Sequence, residues 1–203
     1  MMMAQRYYIF ILALWMVLGA LPLVRHAEAG GEVRTAWATL AQARQLAAKW
    51  QADAELIEAS ATKAREDGSA GADSLLGDVA WWYRFYSPSY SPKVKKLYRV
   101  VSGPGKIRGF ESPTPAFHRI NGHMAVPGDA MDSDQAMKLL RKHGFKPMQV
   151  NAMTLSYPEF FSNKKPVRAY WCVTNEKIGY GGLCVDARTG EYVGGPLKSR
   201  KAK

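Results

Sequence analysis

Apolar residues recur every three or four positions through residues 32–67, a stretch that contains neither Gly nor Pro. The row consists of Val33, Trp37, Leu40, Ala47, Trp50, Ala54, Ile57, Ala61 and Ala64. This spacing predicts one long amphipathic helix over 32–67, interrupted only by Arg44 on the apolar face. Because the stripe is mostly alanine, the helix needs a partner surface in this chain or another. Residues 68–74, rich in Gly, Ala and Ser, are predicted to be a linker.

Aromatic side chains crowd the next segment, and residues 75–130 are predicted to be an aromatic-rich region that contains strands. Four of these side chains, Trp81, Trp82, Tyr83 and Tyr86, lie within six residues. They fit either a binding surface for a peptide, glycan or membrane interface, or a set of rings packed into the core. The core interpretation is favoured, because few other segments supply large apolar side chains.

Asn121-Gly122 stands between two short apolar runs and is typical of a type I′ hairpin turn. That turn would place His118 and His123 on one face of a hairpin. No Asp, Glu or Cys at ligand spacing accompanies them, so solvated or hydrogen-bonded histidines are favoured over a metal site.

Residues 131–197 have the pattern of a small α+β module. Asp132 and Gln135 have the spacing of a capping box, and Gly144 follows basic residues at the other end, so a helix is predicted over Asp132–His143. Its buried face would consist of Ala136, Met137, Leu139 and Leu140. Short strands follow, starting at Gln149. The predicted fold class is therefore α+β, with the long N-terminal helix followed by an antiparallel β-meander with short helices.

A degenerate tandem of two α-β-β-β units is the alternative architecture. Residues 75–86, 93–101, 116–120 and 123–126 have the patterns of a helix and three strands, in the same order as the second half. No residue-by-residue identity between the two halves accompanies this order.

Residues 1–29 have the pattern of a secretory signal peptide. One basic residue, Arg6, precedes 18 uncharged residues from Tyr7 to Val24, and Ala27 and Ala29 form a small-residue cleavage site. An uncleaved anchor is the alternative, because 18 apolar residues just reach the length that spans a bilayer. The first interpretation predicts a periplasmic protein, and the second a single-pass membrane protein with its C-terminus in the periplasm.

The only two cysteines, Cys172 and Cys184, lie in two segments with strand character on either side of a glycine-containing loop. If they face each other in a hairpin, Trp171 lies opposite Val185, whereas a slip of one residue sets apolar against polar side chains. Outside the cytoplasm two cysteines usually pair, so a structural disulfide is predicted. Two reduced thiols are the alternative; a metal or catalytic role is disfavoured without a C-x-x-C spacing.

The chain carries a formal net charge of +11, part of it in the basic tail 198–203. Loss of residues 1–29 would remove Arg6, Arg25 and Glu28 and leave +10. Export argues against nucleic acid as the partner, so an anionic lipid surface, lipopolysaccharide or an acidic envelope protein becomes the candidate counter-charge. A merely solubilising surface is the alternative.

The segment DQAMKLLRKHGF and the later AYWCVT and GGLCVDARTGEYVGG together resemble the PepSY domain over about residues 133–195. The matching positions at the strand end and turn are Val185, Asp186, Thr189, Gly190 and Glu191. Asp186 and Thr189 can hold a tight turn, and Gly190 can take a positive φ. The resemblance implies a PepSY-like or cystatin-like layer in exported or membrane-attached proteins, associated with propeptides and proposed protease inhibition, without a catalytic residue. The cysteines and the aromatic-rich segment depart from the family pattern.

The sequence contains no G-x-S-x-G, no H-E-x-x-H and no phosphate-binding loop. Three functions are therefore compatible with the sequence. The first is a non-enzymatic binding or regulatory protein acting on a protease or envelope protein. The others are a membrane-anchored accessory subunit docking through N-terminal helices, and a hydrolase using a histidine such as His118. The first is predicted, with no cofactor and no metal. A mature N-terminus at Gly30 would argue against the anchored subunit.

Overall fold

The structure is a computed structural model of the chain. The structure describes residues 34–72, 78–113, 125–148, 151–157, 168–175 and 182–194. The predicted leader 1–29, the Asn121-Gly122 hairpin with His118 and His123, and the tail 198–203 lie outside the described residues. Within the described ranges, no helix has the length and apolar character needed to cross a bilayer.

The described elements alternate a helix with runs of strands. They are α1 (Ala36–Trp50), β1 (Glu55–Ala61), β2 (Trp81–Tyr86), the single turn α2 (Ser91–Val94), β3 (Lys96–Gly103), β4 (Lys106–Pro113), α3 (Ser133–Lys142), β5 (Asn151–Ser156), β6 (Tyr170–Asn175), β7 (Leu183–Asp186) and β8 (Tyr192–Gly194). The strands form one antiparallel sheet in the order β4-β3-β2-β1-β5-β6-β7-β8. The predicted α+β class with an antiparallel sheet is confirmed.

Two halves of equal topology build this sheet. In the described residues each half begins with a helix and continues with four strands, each beside the one before it, and the first half also contains the single turn α2. The halves join where β1 pairs with β5, and Ser60 lies opposite Thr154 at the centre of that pairing. The flanking pairs are Ala59–Leu155 and Ala61–Met153. Exchanging the halves maps these pairs onto each other, so a pseudo-twofold axis passes between Ser60 and Thr154.

Two buried tryptophans occupy equivalent places beside that axis. The indole Nε1 of Trp81 donates to the carbonyl of Arg34 at 2.9 Å, and that of Trp171 donates to the carbonyl of Met131, also at 2.9 Å. Each acceptor lies two residues before the first residue of a helix. The two rings meet edge to face with centroids 6.1 Å apart. The two indoles therefore connect the residues just before α1 and α3 to the centre of the core.

The N-termini of α1 and α3 cap each other across the two halves. Asp132 Oδ1 accepts the N–H of Ser133 at 2.6 Å and that of Trp37 at 2.9 Å, while Ser133 Oγ accepts the N–H of Ala36 at 2.9 Å. Asp132 thus caps α3 through Ser133 rather than through the predicted capping box with Gln135. A carboxylate at the positive ends of two helices satisfies otherwise unpaired N–H groups and is stabilised by both dipoles.

The second half follows its predicted order of one helix and an antiparallel meander. Helix α3 spans Ser133–Lys142, within the predicted Asp132–His143, and it buries Ala136, Met137 and Leu140. It ends before Gly144, whose φ of +95° is the conformation expected of a C-terminal glycine. Leu139 is only partly buried. The helix and its boundaries are therefore confirmed to within one residue.

The hairpin of β6 and β7 has the predicted register. Cys172 lies opposite Cys184 and Trp171 opposite Val185, and the two cysteines form a disulfide. Their Cα atoms are 4.2 Å apart, close to the separation of about 4.5 Å in a narrow, non-hydrogen-bonded antiparallel pair. The disulfide prediction is confirmed.

The helix predicted over 32–67 is not confirmed, because α1 ends at Trp50 and residues 55–61 form β1. Leu56, Ala59 and Ala61 point toward the core under the helices. Strand β1 is one of the two central strands of the sheet and pairs with both β2 and β5. Two ladders of backbone hydrogen bonds and burial on the sheet outweigh the helical preference of its alanines, so tertiary pairing decides the conformation.

The first half also differs from the sequence patterns in two smaller respects. Ser69 and Ala70, within the predicted linker 68–74, are buried, and the N–H of Ala70 donates to the carbonyl of Arg34 at 2.9 Å. Residues 81–86, expected in the helix of a first α-β-β-β unit, form β2 instead. The helix of the first half is α1, because the alternating large rings of β2 match the period of a strand.

Candidate functional site

The aromatic segment predicted as a candidate surface lies mainly in the core. Trp81 and Tyr83 are fully buried, and Tyr86 is 5% exposed. The hydroxyl of Tyr83 donates to the carbonyl of Ala36 at 2.6 Å, and burial raises the pKa of this phenol. Trp82 points to the sheet face opposite the helices and is partly buried. Of the four rings, Trp82 alone remains a candidate for external contacts.

The turn residues that carry the PepSY resemblance have a structural role. Asp186 Oδ1 accepts the N–H groups of Arg188 and Thr189, each at 2.9 Å, and Gly190 has a φ of +72°. Burial would raise the pKa of Asp186, but these two N–H groups and the guanidinium of Arg168 lower it overall. Glu191 lies 3.7 Å from Arg168 at the exposed edge of the turn. These residues hold the connection between β7 and β8.

Catalytic and metal chemistry has few candidates in the described chain. The imidazole of His143 stacks on the ring of Tyr192 with centroids 4.6 Å apart. No group of three or more His, Cys, Asp or Glu side chains within the described ranges is arranged to hold a metal ion. Residues after β1 line an open cleft of about 530 Å³: Lys63, Ala64, Arg65, Glu66, Asp67, Gly71 and Ala72, together with Met148. Its charges are of mixed sign.

A row of charged and aromatic side chains crosses the sheet face of the first half that lies opposite α1. The row, called the arginine row below, consists of Phe110, Arg99, Arg84 and Glu58. These residues lie directly opposite one another on β4, β3, β2 and β1, so neighbouring side chains are in contact range. Phe110 is 42% exposed and ends the row toward the edge of the sheet.

An irregularity in β1 brings Glu58 into the arginine row. The register shifts between Leu56 and Glu58, which leaves Ile57 as an extra residue. Leu56 lies opposite Phe85 on the helix-covered face, and regular alternation would place Glu58 on that same face. The bulge instead turns Glu58 toward Arg84 on the opposite face. A local backbone feature therefore keeps a carboxylate out of the core and supplies the acidic end of the row.

The electrostatics of the arginine row are unbalanced. Arg84 pairs with Glu58, with an N–O distance of 2.8 Å, and their side chains are only 26% and 15% exposed. Glu58 also accepts a hydrogen bond from Ser60 at 3.2 Å. Burial lowers the pKa of Arg99, and the neighbouring charge of Arg84 lowers it further. Among its four side chains, the row holds two partly desolvated cations and one anion.

The second half has no counterpart of these charges. The pseudo-twofold axis places Ala152 where the first half has Glu58, and Thr174 where it has Arg84. Continuing the register of β6 and β7 by one pair places Gly182 at the position of Arg99. The two halves share a backbone and a core but differ at this surface. The arginine row is therefore not needed to form the α-β4 fold.

The arginine row was not among the sites predicted from the sequence. One signal was present: Arg84 and Arg99 are the single charged residues within the apolar runs of β2 and of residues 97–101. A charge inside a half-buried strand points to the outer face. The pairing of β2 with β3, which makes these arginines neighbours, cannot be derived from that pattern.

Comparisons with known protein families, curated proteins and solved structures found no match to this chain. The class defined by the fold is an α+β protein with a pseudo-twofold, eight-stranded antiparallel sheet covered on one face by helices.

A polar cluster at the C-terminal end of α1 joins that helix to the sheet edge. Glu111 Oε1 accepts hydrogen bonds from Trp50 Nε1 at 2.8 Å and from the hydroxyl of Tyr90 at 3.1 Å. Its Oε2 accepts from Lys96 Nζ at 2.6 Å. The indole of Trp50 also stacks on the ring of Tyr98 with centroids 5.2 Å apart. The hydrogen bond from Lys96, followed by that from Trp50, lowers the pKa of Glu111 to about 2.

This cluster predicts a pH-dependent contribution to stability. Because the folded-state pKa of Glu111 lies below its ordinary value, its contribution is full above about pH 4.5 and is lost as the pH falls toward 2. A carboxylate titration followed by NMR should place the midpoint of Glu111 near 2. Lys96→Met should raise that midpoint, whereas Lys95→Met, which removes a neighbouring charge, should leave it nearly unchanged. Equal effects of the two variants would contradict the assignment to Lys96.

Proposed function

We propose that this chain is an exported, non-enzymatic binding protein of the periplasm or the outer face of the membrane, PepSY-like in its second half, which regulates a protease or another envelope protein. The observation that carries the proposal is the arginine row, which combines excess positive charge with an exposed ring on a sheet face. Arginine stays charged at any physiological pH and cannot act as a general base. It is enriched instead at protein interfaces.

Export is supported by two independent features. The first 29 residues have the pattern of a leader peptide. The disulfide between Cys172 and Cys184 belongs to the kind of bond that persists in oxidising compartments. An envelope protein is therefore a more fitting partner than nucleic acid for the basic chain.

The difference between the two halves supports a specialised role for the first. If the halves are divergent copies of one α-β4 unit, the second half retains the PepSY-like turn and the first carries the charged surface. Positions occupied by Ala152, Thr174 and Gly182 in one copy carry Glu58, Arg84 and Arg99 in the other. A change of three small or neutral side chains into charged ones is expected where a surface has gained a partner.

A photo-crosslinking residue at position 110 tests this proposal in the native envelope fraction. We expect a discrete protein adduct, because Phe110 lies exposed at the end of the row. The adduct should decrease at high salt and with Arg84→Gln, since the complementary charges are screened or removed.

The matched control carries the same photo-crosslinker at Val94, which is 38% exposed but lies outside the arginine row. That variant should give no such adduct. Adducts of the same protein from both positions, or an adduct at position 110 that is insensitive to Arg84→Gln, would contradict binding through this face.

A further inference from the structure

We infer that the arginine row binds an extended acidic segment of its partner, with one carboxylate between Arg84 and Arg99 and an apolar side chain two residues away on the ring of Phe110. This inference rests on the proposed function, because it names the chemistry that the binding face recognises.

Two buried polar atoms without hydrogen-bond partners point to this location. Within the described ranges they are Arg99 Nε and Ser112 Oγ. Ser112 is 7% exposed and pairs with Leu97, one row beyond Arg99 and on the same face of the hairpin of β3 and β4. A buried polar group without a partner is costly and is rare in native proteins. Two of them in adjacent rows, beside an excess cation, mark the place where a ligand would supply acceptors.

The charge of the arginine row favours a carboxylate. With two guanidinium groups and Glu58, the row carries one net positive charge. One carboxylate balances that charge, while its two oxygens match the planar fork of an arginine. A dianionic phosphate would leave the row with excess negative charge next to Glu58.

The spacing of the strands favours an extended segment. Neighbouring strands lie about 4.8 Å apart, so the midpoint between Arg84 and Arg99 is about 7 Å from Phe110. Side chains two residues apart in an extended chain are separated by about 6.8 Å. A peptide that crosses β2, β3 and β4 can therefore set an acidic residue between the arginines and an apolar residue over Phe110. The resulting pattern is Glu or Asp, any residue, and then an aromatic or aliphatic residue.

A lipid surface fits this row less well. Arg84 is only 26% exposed and is already paired with Glu58, a carboxylate that would face an anionic membrane. Basic side chains that bind lipid headgroups are long, exposed and unaccompanied by acidic neighbours. Vesicles containing phosphatidylglycerol therefore serve as the competing probe.

The experiment is a titration of the exported chain with short synthetic peptides, followed by backbone amide NMR. A peptide containing Glu-Ser-Phe should shift the amides of Arg84, Arg99 and Phe110 and saturate. Peptides containing Gln-Ser-Phe or the contiguous Glu-Phe should bind about tenfold more weakly, because the first lacks the charge and the second lacks the spacing.

Variants of the chain make the assignment specific. Arg99→Gln and the surface variant Phe110→Ser should each weaken binding of the Glu-Ser-Phe peptide by about tenfold, whereas Arg44→Gln, an exposed arginine on α1, should leave it unchanged. Amide spectra that retain the native dispersion confirm that each variant is folded. Phe110→Ser tests the inference even if Arg99→Gln perturbs the sheet.

Three results would overturn the inference: equal binding of the Gln-Ser-Phe peptide, no shift at millimolar peptide, or Arg99-dependent binding to phosphatidylglycerol vesicles without peptide binding. The two proposals fail separately. A salt-sensitive adduct at position 110 without peptide binding refutes only the acidic motif. Peptide binding without any envelope adduct refutes only the proposed function.

Discussion

Replacing Trp171 with alanine is expected to lower the free energy of unfolding by about 3–5 kcal/mol, the usual cost of removing a fully buried tryptophan. The side chain is 0% exposed and contacts the rings of Trp37 and Trp81, with centroids 6.0 and 6.1 Å away. It also satisfies the carbonyl of Met131, next to the start of α3. Urea unfolding followed by far-UV circular dichroism measures the loss independently of tryptophan fluorescence.

Trp82 provides the matched control for that substitution. It is next to Trp81 in the sequence but is only partly buried and points away from the helices. Trp82→Ala should therefore lower the free energy of unfolding by less than half as much as Trp171→Ala. Trp171→Phe keeps most of the packing and leaves the carbonyl of Met131 without its donor, so we expect a loss of about 1–3 kcal/mol. Equal costs for Trp82→Ala and Trp171→Ala would refute a core centred on the paired indoles.

Removing the disulfide is expected to lower the free energy of unfolding by about 3 kcal/mol, as estimated for a closed loop of about 15 residues. The bond joins Cys172 and Cys184, which are 12 positions apart. The cysteines are to be replaced together by alanine, since a single replacement would leave a reactive thiol. Chemical denaturation of the oxidised chain and of the double variant gives the difference.

Treatment with a reductant distinguishes the effect of the disulfide bond on stability from the effect of replacing the two side chains. It should destabilise the wild-type chain to about the level of the double variant, and it should leave the double variant unaffected. Alkylation without a reductant should label neither cysteine of the native protein. Full labelling of both cysteines, or equal stability with and without a reductant, would contradict a structural role.

The hairpin and α3 could be predicted because several local signals agreed. In the hairpin, the register that joins Cys172 to Cys184 also sets Trp171 against Val185, so covalent and hydrophobic preferences select the same pairing. In α3, Asp132 and Gly144 mark the two ends of a helical run of apolar residues. Such features depend on residues close together in the chain.

The first half was harder to predict because its structure depends on distant partners. Ile57 and Ala61 of β1, and Ala64 just after it, continue the helical spacing of α1. The bulge in β1 removes the simple alternation that would have indicated a strand. The arginine row had the same difficulty. Arg84 and Arg99 become neighbours only through the pairing of β2 with β3. No local pattern specifies that register, because it is selected by burial across the whole sheet.

The pseudo-twofold axis also relates the disulfide to a pair of ordinary side chains. Ser60 pairs with Trp82 as Thr154 pairs with Cys172, so Trp82 and Val101 occupy the positions of Cys172 and Cys184. In the first half, the indole of Trp82 paired with the β-branched side chain of Val101 stands where the second half has the disulfide. Reduction is therefore expected to act on the second half and to leave the arginine row in place.

The shared cap at Asp132 has a consequence for the integrity of the chain. Its carboxylate accepts an N–H group from the first turn of a helix in each half. The hydroxyl of Ser133 accepts the N–H of Ala36. A fragment ending after β4 would lose both acceptors, and a fragment starting at Asp132 would keep the carboxylate with only one of its two helices. Because the two halves share this cap, we expect the chain to unfold in one cooperative transition rather than half by half.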